Sequence, residues 1–278
     1  MADRASSGRG LDRASSGRGL DRASSGRGLD TGSSGRGPAR ESGLRVRRVT
    51  TTRAGGVSRP PFDSFNLGDH VGDDPAAVAA NRRRLATATG LGDDGIVWMN
   101  QVHGTHVEMV ADAGRTCDAT DGLVTATPGL ALAVVTADCV PVLLADARAG
   151  VVGAVHAGRV GAAQGVVPEA LRVMVDAGAR AEDVSVLLGP AVSGPNYEVP
   201  DEMAADVERS LPGSRTTTRR GTAGLDLRAG IAAQLRSLGV TAIDIDPRCT
   251  VDDPTLFSHR RDAPTGRLAC LVWLEPQR

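Results

Sequence analysis

The chain has 278 residues, with 32 basic side chains against 33 acidic ones and a formal net charge of −1; 41% of it is hydrophobic and 2% aromatic. That length supports one sizeable core built from Val, Leu and Ala, and the near-neutral charge argues against a whole-protein nucleic-acid binder. No lysine is present, which excludes Schiff-base chemistry, and the four cysteines (Cys117, Cys139, Cys249 and Cys270) show no CxxC pairing, which argues against a disulfide scaffold or a zinc finger.

The chain opens on a nine-residue repeat, Asp-Arg-Ala-Ser-Ser-Gly-Arg-Gly-Leu, starting at Asp3, Asp12 and Asp21, with a degraded copy at Asp30. One Leu per repeat builds no core, so residues 1–44 are expected to form a disordered arm. The arm carries eight Arg and five acids, so weak contact with RNA is one reading and a dispensable tail the other. No apolar leader precedes it, and the longest apolar run, Leu130–Ala145, is broken by Asp138 and Pro141. No membrane span is expected, and the location reads as cytoplasmic.

From Leu44 the texture becomes that of a folded domain, expected over residues 45–278. Leu44–Thr52 alternates and reads as a strand, and Arg53–Pro61 as a Gly/Pro loop. Asp73 or Asp74 caps a helix with Pro75 at its first position; the helix runs to about Thr89 and stops at Gly90. Strand-like runs follow at Ile96–Met99, His106–Val110, Leu123–Thr125, Leu130–Thr136, Val140–Ala145 and Val151–Val155. A helix fits Val160–Ala177, with a kink or split expected at Pro168. Then come a strand at Val184–Leu188, helices at Pro200–Leu211 and Leu225–Leu238, and strands at Thr241–Ile245 and Leu268–Leu274. Strands and helices mix without strict alternation, which predicts an α+β fold: one layered α/β sandwich domain with a large mixed sheet.

Three segments carry potential ligands: Gln101-Val102-His103-Gly104, Thr136-Ala137-Asp138-Cys139 and Val155-His156-Ala157-Gly158. The polar stretch 146–150 separates two apolar runs. A hairpin centred between Ala147 and Arg148 sets 139 opposite 156, with Cβ atoms about 4.5–5.5 Å apart. A Cys and two His are the donor set of a catalytic zinc with an open fourth position. The same residues allow other readings. Cys139 can be a small buried hydrophobe and His156 a core histidine; or Cys139 can be a nucleophile with His156 as its base and Asp138 nearby, which describes a cysteine hydrolase acting on peptidoglycan-type substrates.

Longer motifs extend the pattern. Ser64-Phe65-Asn66-Leu67-Gly68-Asp69-His70-Val71-Gly72, then Asn81-Arg82, Gln101-Val102-His103-Gly104, Asp121-Gly122-Leu123-Val124-Thr125, Thr136-Ala137-Asp138-Cys139-Val140-Pro141 and His156-Ala157-Gly158 stand in order. Leu188-Gly189-Pro190, Tyr197-Glu198-Val199 and Phe257-Ser258-His259-Arg260-Arg261-Asp262 follow. Over roughly residues 45–275 the chain resembles the bacterial laccase-domain, or polyphenol oxidase, family of zinc-dependent purine nucleoside phosphorylases. The resemblance implies a layered α+β sandwich. It also implies cleavage of adenosine, inosine and methylthioadenosine with phosphate, and deamination of adenosine as a second activity. It makes His103, Cys139 and His156 the metal ligands, for zinc or alternatively copper, which the same donors also bind. Five His in the whole chain are too few for the multicopper centres of a true three-domain laccase. The family's His-Ala-Gly-Trp-Arg-Gly reads His156-Ala157-Gly158-Arg159-Val160-Gly161 here, and Gly194-Pro195-Asn196 replaces a Cys-rich stretch.

Phosphate requires a cation with paired donors, for which arginine is suited. Arg82 is the first candidate by its place in the family motif, and Arg159, at an expected helix start, the second. Asp138 is the candidate for moving a proton or supporting the ligands. Asn66 and Gln101 are candidates to bind substrate or fix loops, and His70 to complete the pocket. Arg260, Arg261 and Arg267 either line an anionic pocket or pair on the surface with Asp252, Asp253 and Asp262. His106, Cys117, Cys249 and Cys270 read as structural.

Overall fold

The computed structural model describes residues 43–92 and 94–276. The expected disordered repeat arm therefore lies outside the described residues, apart from Gly43 and Leu44. Strand β1 (Leu44–Thr50) is followed by helix α1 (Pro75–Thr89), whose start and stop are those read from the sequence. The Asp74 side chain accepts from the Ala76 N–H, and Gly90 closes the helix at φ 71°, a left-handed conformation that glycine adopts without a steric penalty. Strands β2 (Ile96–Met99), β3 (Val107–Met109), β4 (Thr116–Cys117), β5 (Gly122–Thr125), β6 (Ala131–Thr136), β7 (Val140–Asp146) and β8 (Val151–Ala157) come next.

The single helix expected over Val160–Ala177 is two, α2 (Arg159–Gln164) and α3 (Val166–Asp176). The break is at Gly165, at φ 93°, and not at Pro168. Pro168 falls in the first turn of α3, where its missing N–H has no intrahelical partner to lose. Strand β9 (Ser185–Leu188) and helix α4 (Asp201–Ser210) follow. A short ribbon of β10 (Arg215–Thr217) and β11 (Ala223–Leu225) is not visible in the sequence pattern. Helix α5 (Leu227–Ser237), capped by Asp226, leads to β12 (Ala242–Ile245), the four-residue helix α6 (His259–Asp262) and the long β13 (Leu268–Pro276).

The α+β architecture is as expected, with the strands divided between two mixed sheets. The first has the order β1-β13-β6-β2-β4 and the second β12-β9-β7-β8-β5-β3. Leu132, Val134, Val272 and Leu274 of the first sheet meet Leu123, Leu143, Val152 and Ala154 of the second in a dry layer between them. The outer face of the first sheet is covered by Leu85 and Ala86 of α1, packed on Trp98, Ala133, Leu271 and Trp273. The outer face of the second is covered by α3, α4 and α5 through residues such as Leu171, Met174, Val207 and Ile231. Strand β7 is buried on both faces, with Val142 and Leu144 outward and Leu143 and Ala145 inward. This explains its unbroken apolar sequence.

The β7–β8 hairpin exists, but its register differs by two residues from the expected one. Pro141 faces His156 and Val142 faces Val155. Asp146 belongs to the strand, and its Oδ1 accepts from the N–H groups of Arg148 and Ala149 at 2.9 Å. The turn is thereby shifted to 147–150 and closes on Gly150 at φ 70°. A shift of two keeps each side chain on its face, so Cys139 stays on the side of His156, one step beyond the strand.

Leu143 is fully buried between the sheets, whereas Leu238 past the end of α5 is 42% exposed. Leu143→Ala is expected to lower the unfolding free energy by about 2–5 kcal/mol in chemical denaturation, and Leu238→Ala by well under about 1 kcal/mol.

Candidate metal centre

Three segments lead from the first sheet into the second: 100–106, 118–121 and 137–139. Each delivers one element of the site. The first carries His103, whose backbone is left-handed at φ 61°, a conformation that few non-glycine residues adopt. The second carries Asp121, which is fully buried and holds that backbone in place. The Asp121 carboxylate accepts from the N–H groups of Val102 (3.2 Å), His103 (3.0 Å) and Gly104 (2.7 Å). Its Oδ1 also accepts from Nδ1 of His156 at 2.8 Å. This leaves Nε2 of His156 to face the other donors. Gln101 anchors the same turn from the other end, its amide exchanging two 2.8 Å hydrogen bonds with the Val135 backbone.

The third segment carries Asp138 and Cys139. Asp138 stands at φ 95°. Its Oδ1 accepts from the Thr250 hydroxyl and its Oδ2 from the Arg260 N–H, both at 2.6 Å, and its carbonyl accepts from Val192 N–H. With both oxygens engaged, the carboxylate fixes the bend that presents Cys139. The partner of His156 is Asp121, not Asp138.

The donor atoms of His103, Cys139 and His156 all lie within 4.8 Å of one another. Cys139 Sγ is 3.8 Å from His103 Nε2, and the two imidazole rings meet edge-on with centroids 4.7 Å apart. Tetrahedral zinc, with Zn–S about 2.3 Å and Zn–N about 2.0–2.1 Å, sets such atoms about 3.3–3.6 Å apart. The trio therefore fits one ion after small movements. On the side of the 158–161 segment the packing is close: a Cβ on Gly158 would stand 2.6 Å from His103 Cδ2 and 3.2 Å from Cys139 Sγ, and one on Gly161 would stand 2.7 Å from the Gly104 carbonyl.

The electrostatics couple the thiol to the imidazole. Burial alone would push the Cys139 thiol up, but the charge of His156 and the hydrogen bond from His103 outweigh it and bring it to about 6. Burial would lower His156; the Cys139 thiolate and the Asp121 carboxylate oppose this and raise it to about 9. Both shifts favour the charged pair: the thiolate is already the form that ligates a metal, and His156 takes one by giving up the proton on Nε2. Cys270 is the contrast: burial, only partly offset by the Thr50 hydroxyl and Arg248, pushes its thiol up to about 12.

A cavity of about 690 Å³ opens over the trio, within the range of small-molecule sites. Its wall includes His70, Gln101, Asp138, Arg159, Tyr197, Arg260 and Arg267. Arg260 stacks on Tyr197 at 5.1 Å and donates to the Glu198 carbonyl. Arg261 turns away and donates to the carbonyls of Thr250, Val251, Asp253 and Leu256. Arg159 opens α2, which is only one and a half turns long.

Two other candidates stand outside the cavity wall. Arg82 donates to the Leu67 carbonyl, pairs with Asp69 at 3.1 Å and stacks on Trp98 at 4.1 Å. Asn66 is fully buried and ties Gly68, Asp73 and the Arg267 N–H together. Both brace the 66–73 loop behind His70. His70 itself reaches the cavity, whereas His106 lines a separate surface depression beside α3. Asp121, Arg260 and Arg267 are the residues that sequence reasoning undervalued. Among the described residues, no helix is long and apolar enough to cross a membrane.

Residues 47–275 match the family model described as multi-copper polyphenol oxidoreductase laccase. A purine nucleoside phosphorylase of Mycobacterium tuberculosis is 73% identical over 233 residues, covering 84% of this chain and 93% of its own. A purine nucleoside phosphorylase of Corynebacterium glutamicum is 57% identical, covering 82% and 94%. Among solved structures, YlmD of Geobacillus stearothermophilus superimposes with a TM-score of 0.77 at 34% identity, covering 86% of this chain and 94% of its own. The hypothetical protein YfiH of Bacillus licheniformis gives a TM-score of 0.77 at 32% identity, covering 82% and 92%. The chain therefore belongs to the multi-copper polyphenol oxidoreductase laccase family, several of whose relatives carry the name purine nucleoside phosphorylase.

Proposed function

We propose that residues 45–278 form a purine nucleoside phosphorylase that holds one zinc ion at His103, Cys139 and His156. Its substrates are phosphate with adenosine, inosine or methylthioadenosine, and deamination of adenosine is a second activity. The observation that carries this reading is one cavity walled by a thiol–imidazole donor set and by three arginines. The names of the relatives agree with it. The unpaired cysteines accord with a reducing, cytoplasmic location.

In phosphorolysis a phosphate oxygen bonds to C1′ of the ribose as the C1′–N9 bond breaks. The electron pair and a proton end on the purine, and ribose 1-phosphate is the other product. Arg159, Arg260 and Arg267 face this cavity and offset the charge of the phosphate, so that both reactants are held together. Asp121 keeps the proton on Nδ1 of His156, so that Nε2 is the nitrogen presented to a metal. Asp138 orients the chain at Cys139, and Tyr197 positions the Arg260 guanidinium. When bound, the zinc ion supplies a Lewis acid in the cavity.

A second reading has its own observation. Cys139, His156 and Asp121 are aligned as nucleophile, base and orienting carboxylate, the arrangement of a cysteine hydrolase. The two readings separate in the test tube. The phosphorylase is expected to carry about one zinc per chain and to yield adenine and ribose 1-phosphate from adenosine only when phosphate is present. Chelation or Cys139→Ala abolishes both metal and turnover. Phosphate-independent turnover that survives chelation and is blocked by thiol alkylation supports the hydrolase instead. A copper-dependent phenol oxidase would show itself by oxidation of phenols after copper loading.

Asp121→Asn removes the charge that saturates the 102–104 turn and orients His156. Competition with a chelator is expected to show metal affinity reduced about 10–100-fold, with secondary structure unchanged by circular dichroism.

A further inference from the structure

Among the described residues, four buried side-chain polar atoms have no hydrogen-bond partner. One of them, the hydroxyl of Thr136, belongs to a residue of the cavity wall, and Thr136 is only 1% exposed. A buried hydroxyl without a partner is disfavoured, and at a cavity wall the partner comes from what fills the cavity, water or a ligand that displaces it.

Arg267 lines the same cavity from the residue that precedes β13, where Leu268 pairs with Thr136. Its stem is fixed: its N–H donates to Asn66 Oδ1, and the side chain passes so close to Gly68 that a Cβ there would stand 2.6 Å from Arg267 Cγ. Nη1 donates to the carbonyls of Thr265 and Gly266. Nε and Nη2 have no partner among the described residues, and the guanidinium enters none of their ion pairs. Burial makes its charge harder to keep, and only the more distant Cys139 and Asp138 offset this. The other two cavity arginines differ. Arg260 is exposed and engaged with Tyr197 and the Glu198 carbonyl, and Arg159, at the start of α2, interacts with the Tyr197 hydroxyl.

We propose that Thr136 and Arg267 form the phosphate seat of the cavity, with the free Nε and Nη2 edge of Arg267 and the Thr136 hydroxyl donating to phosphate oxygens. The assignment rests on the phosphorylase reading. A fixed, partly desolvated guanidinium edge matches an oxyanion with two parallel hydrogen bonds. The guanidinium only donates, and the hydroxyl adds a further O–H beside it, so the pair matches a ligand that accepts throughout, as phosphate does through every ionised oxygen.

The test is Thr136→Val, which keeps the shape and removes the hydroxyl, with Thr136→Ser as the rescue variant. The readouts are the KM for phosphate, the KM for adenosine, and titration calorimetry with inorganic phosphate alone. The valine variant is expected to raise the phosphate KM and Kd about tenfold or more while the adenosine KM stays within about twofold. The serine variant restores both phosphate constants, and zinc content is unchanged throughout. Arg267→Lys, which keeps the charge and loses the fork, is expected to raise the phosphate constants further. An unchanged phosphate KM in Thr136→Val overturns the assignment, as does a rise confined to the adenosine KM. If the unaltered protein turns adenosine over without phosphate, the phosphorylase reading fails separately. Calorimetry then still decides the seat: weaker phosphate binding in Thr136→Val supports it, and unaltered or absent saturable binding overturns it.

Discussion

The site is organised by one buried carboxylate. Asp121 has no exposed surface, yet its oxygens receive three backbone N–H groups and one imidazole N–H. An ionised carboxylate without water is strongly disfavoured unless such donors surround it. The chain around it is shaped to provide them. The turn at 102–104 wraps onto the carboxylate, and His103 is forced into a left-handed conformation by that wrapping. The same atoms set the tautomer of His156. Two of the three candidate ligands therefore depend on a residue that would itself touch no metal.

Much of the fold can be read from the sequence, because local chemistry decides it. Asp74, Pro75 and Gly90 mark α1 at both ends, and the turn-forming run at 146–150 announces a hairpin. The donors His103, Cys139 and His156 are legible from residue type and from their places at strand ends. What fails is what tertiary contacts decide. The hairpin register moves because Asp146 spends its carboxylate on the turn. The helix after His156 breaks at a glycine and not at the proline, because Pro168 falls where helices tolerate it. Asp121, followed by glycine, looks in sequence like an ordinary turn residue, and nothing local reveals that it is buried.

The arginines show the same limit more sharply. A guanidinium sits at the end of a long stem, so position in the chain says little about where its charge lies. Arg82 stands in a motif yet is spent on Leu67, Asp69 and Trp98. Arg260, Arg261 and Arg267 look like a surface cluster, but two of them reach the cavity and the third stitches a loop together from within. Asn66 likewise serves the shape of the pocket indirectly, by holding the backbone of Arg267.

Each passage of the chain from the first sheet to the second runs through the site, at 100–106, 118–121 and 137–139. Neither sheet alone gathers the thiol and both imidazoles. The donor set comes into being only when the sandwich closes, so a half-assembled chain offers no ready-made trap for stray metal. Assembly of the centre thereby becomes the mark of a finished molecule and not the nucleus of an unfinished one.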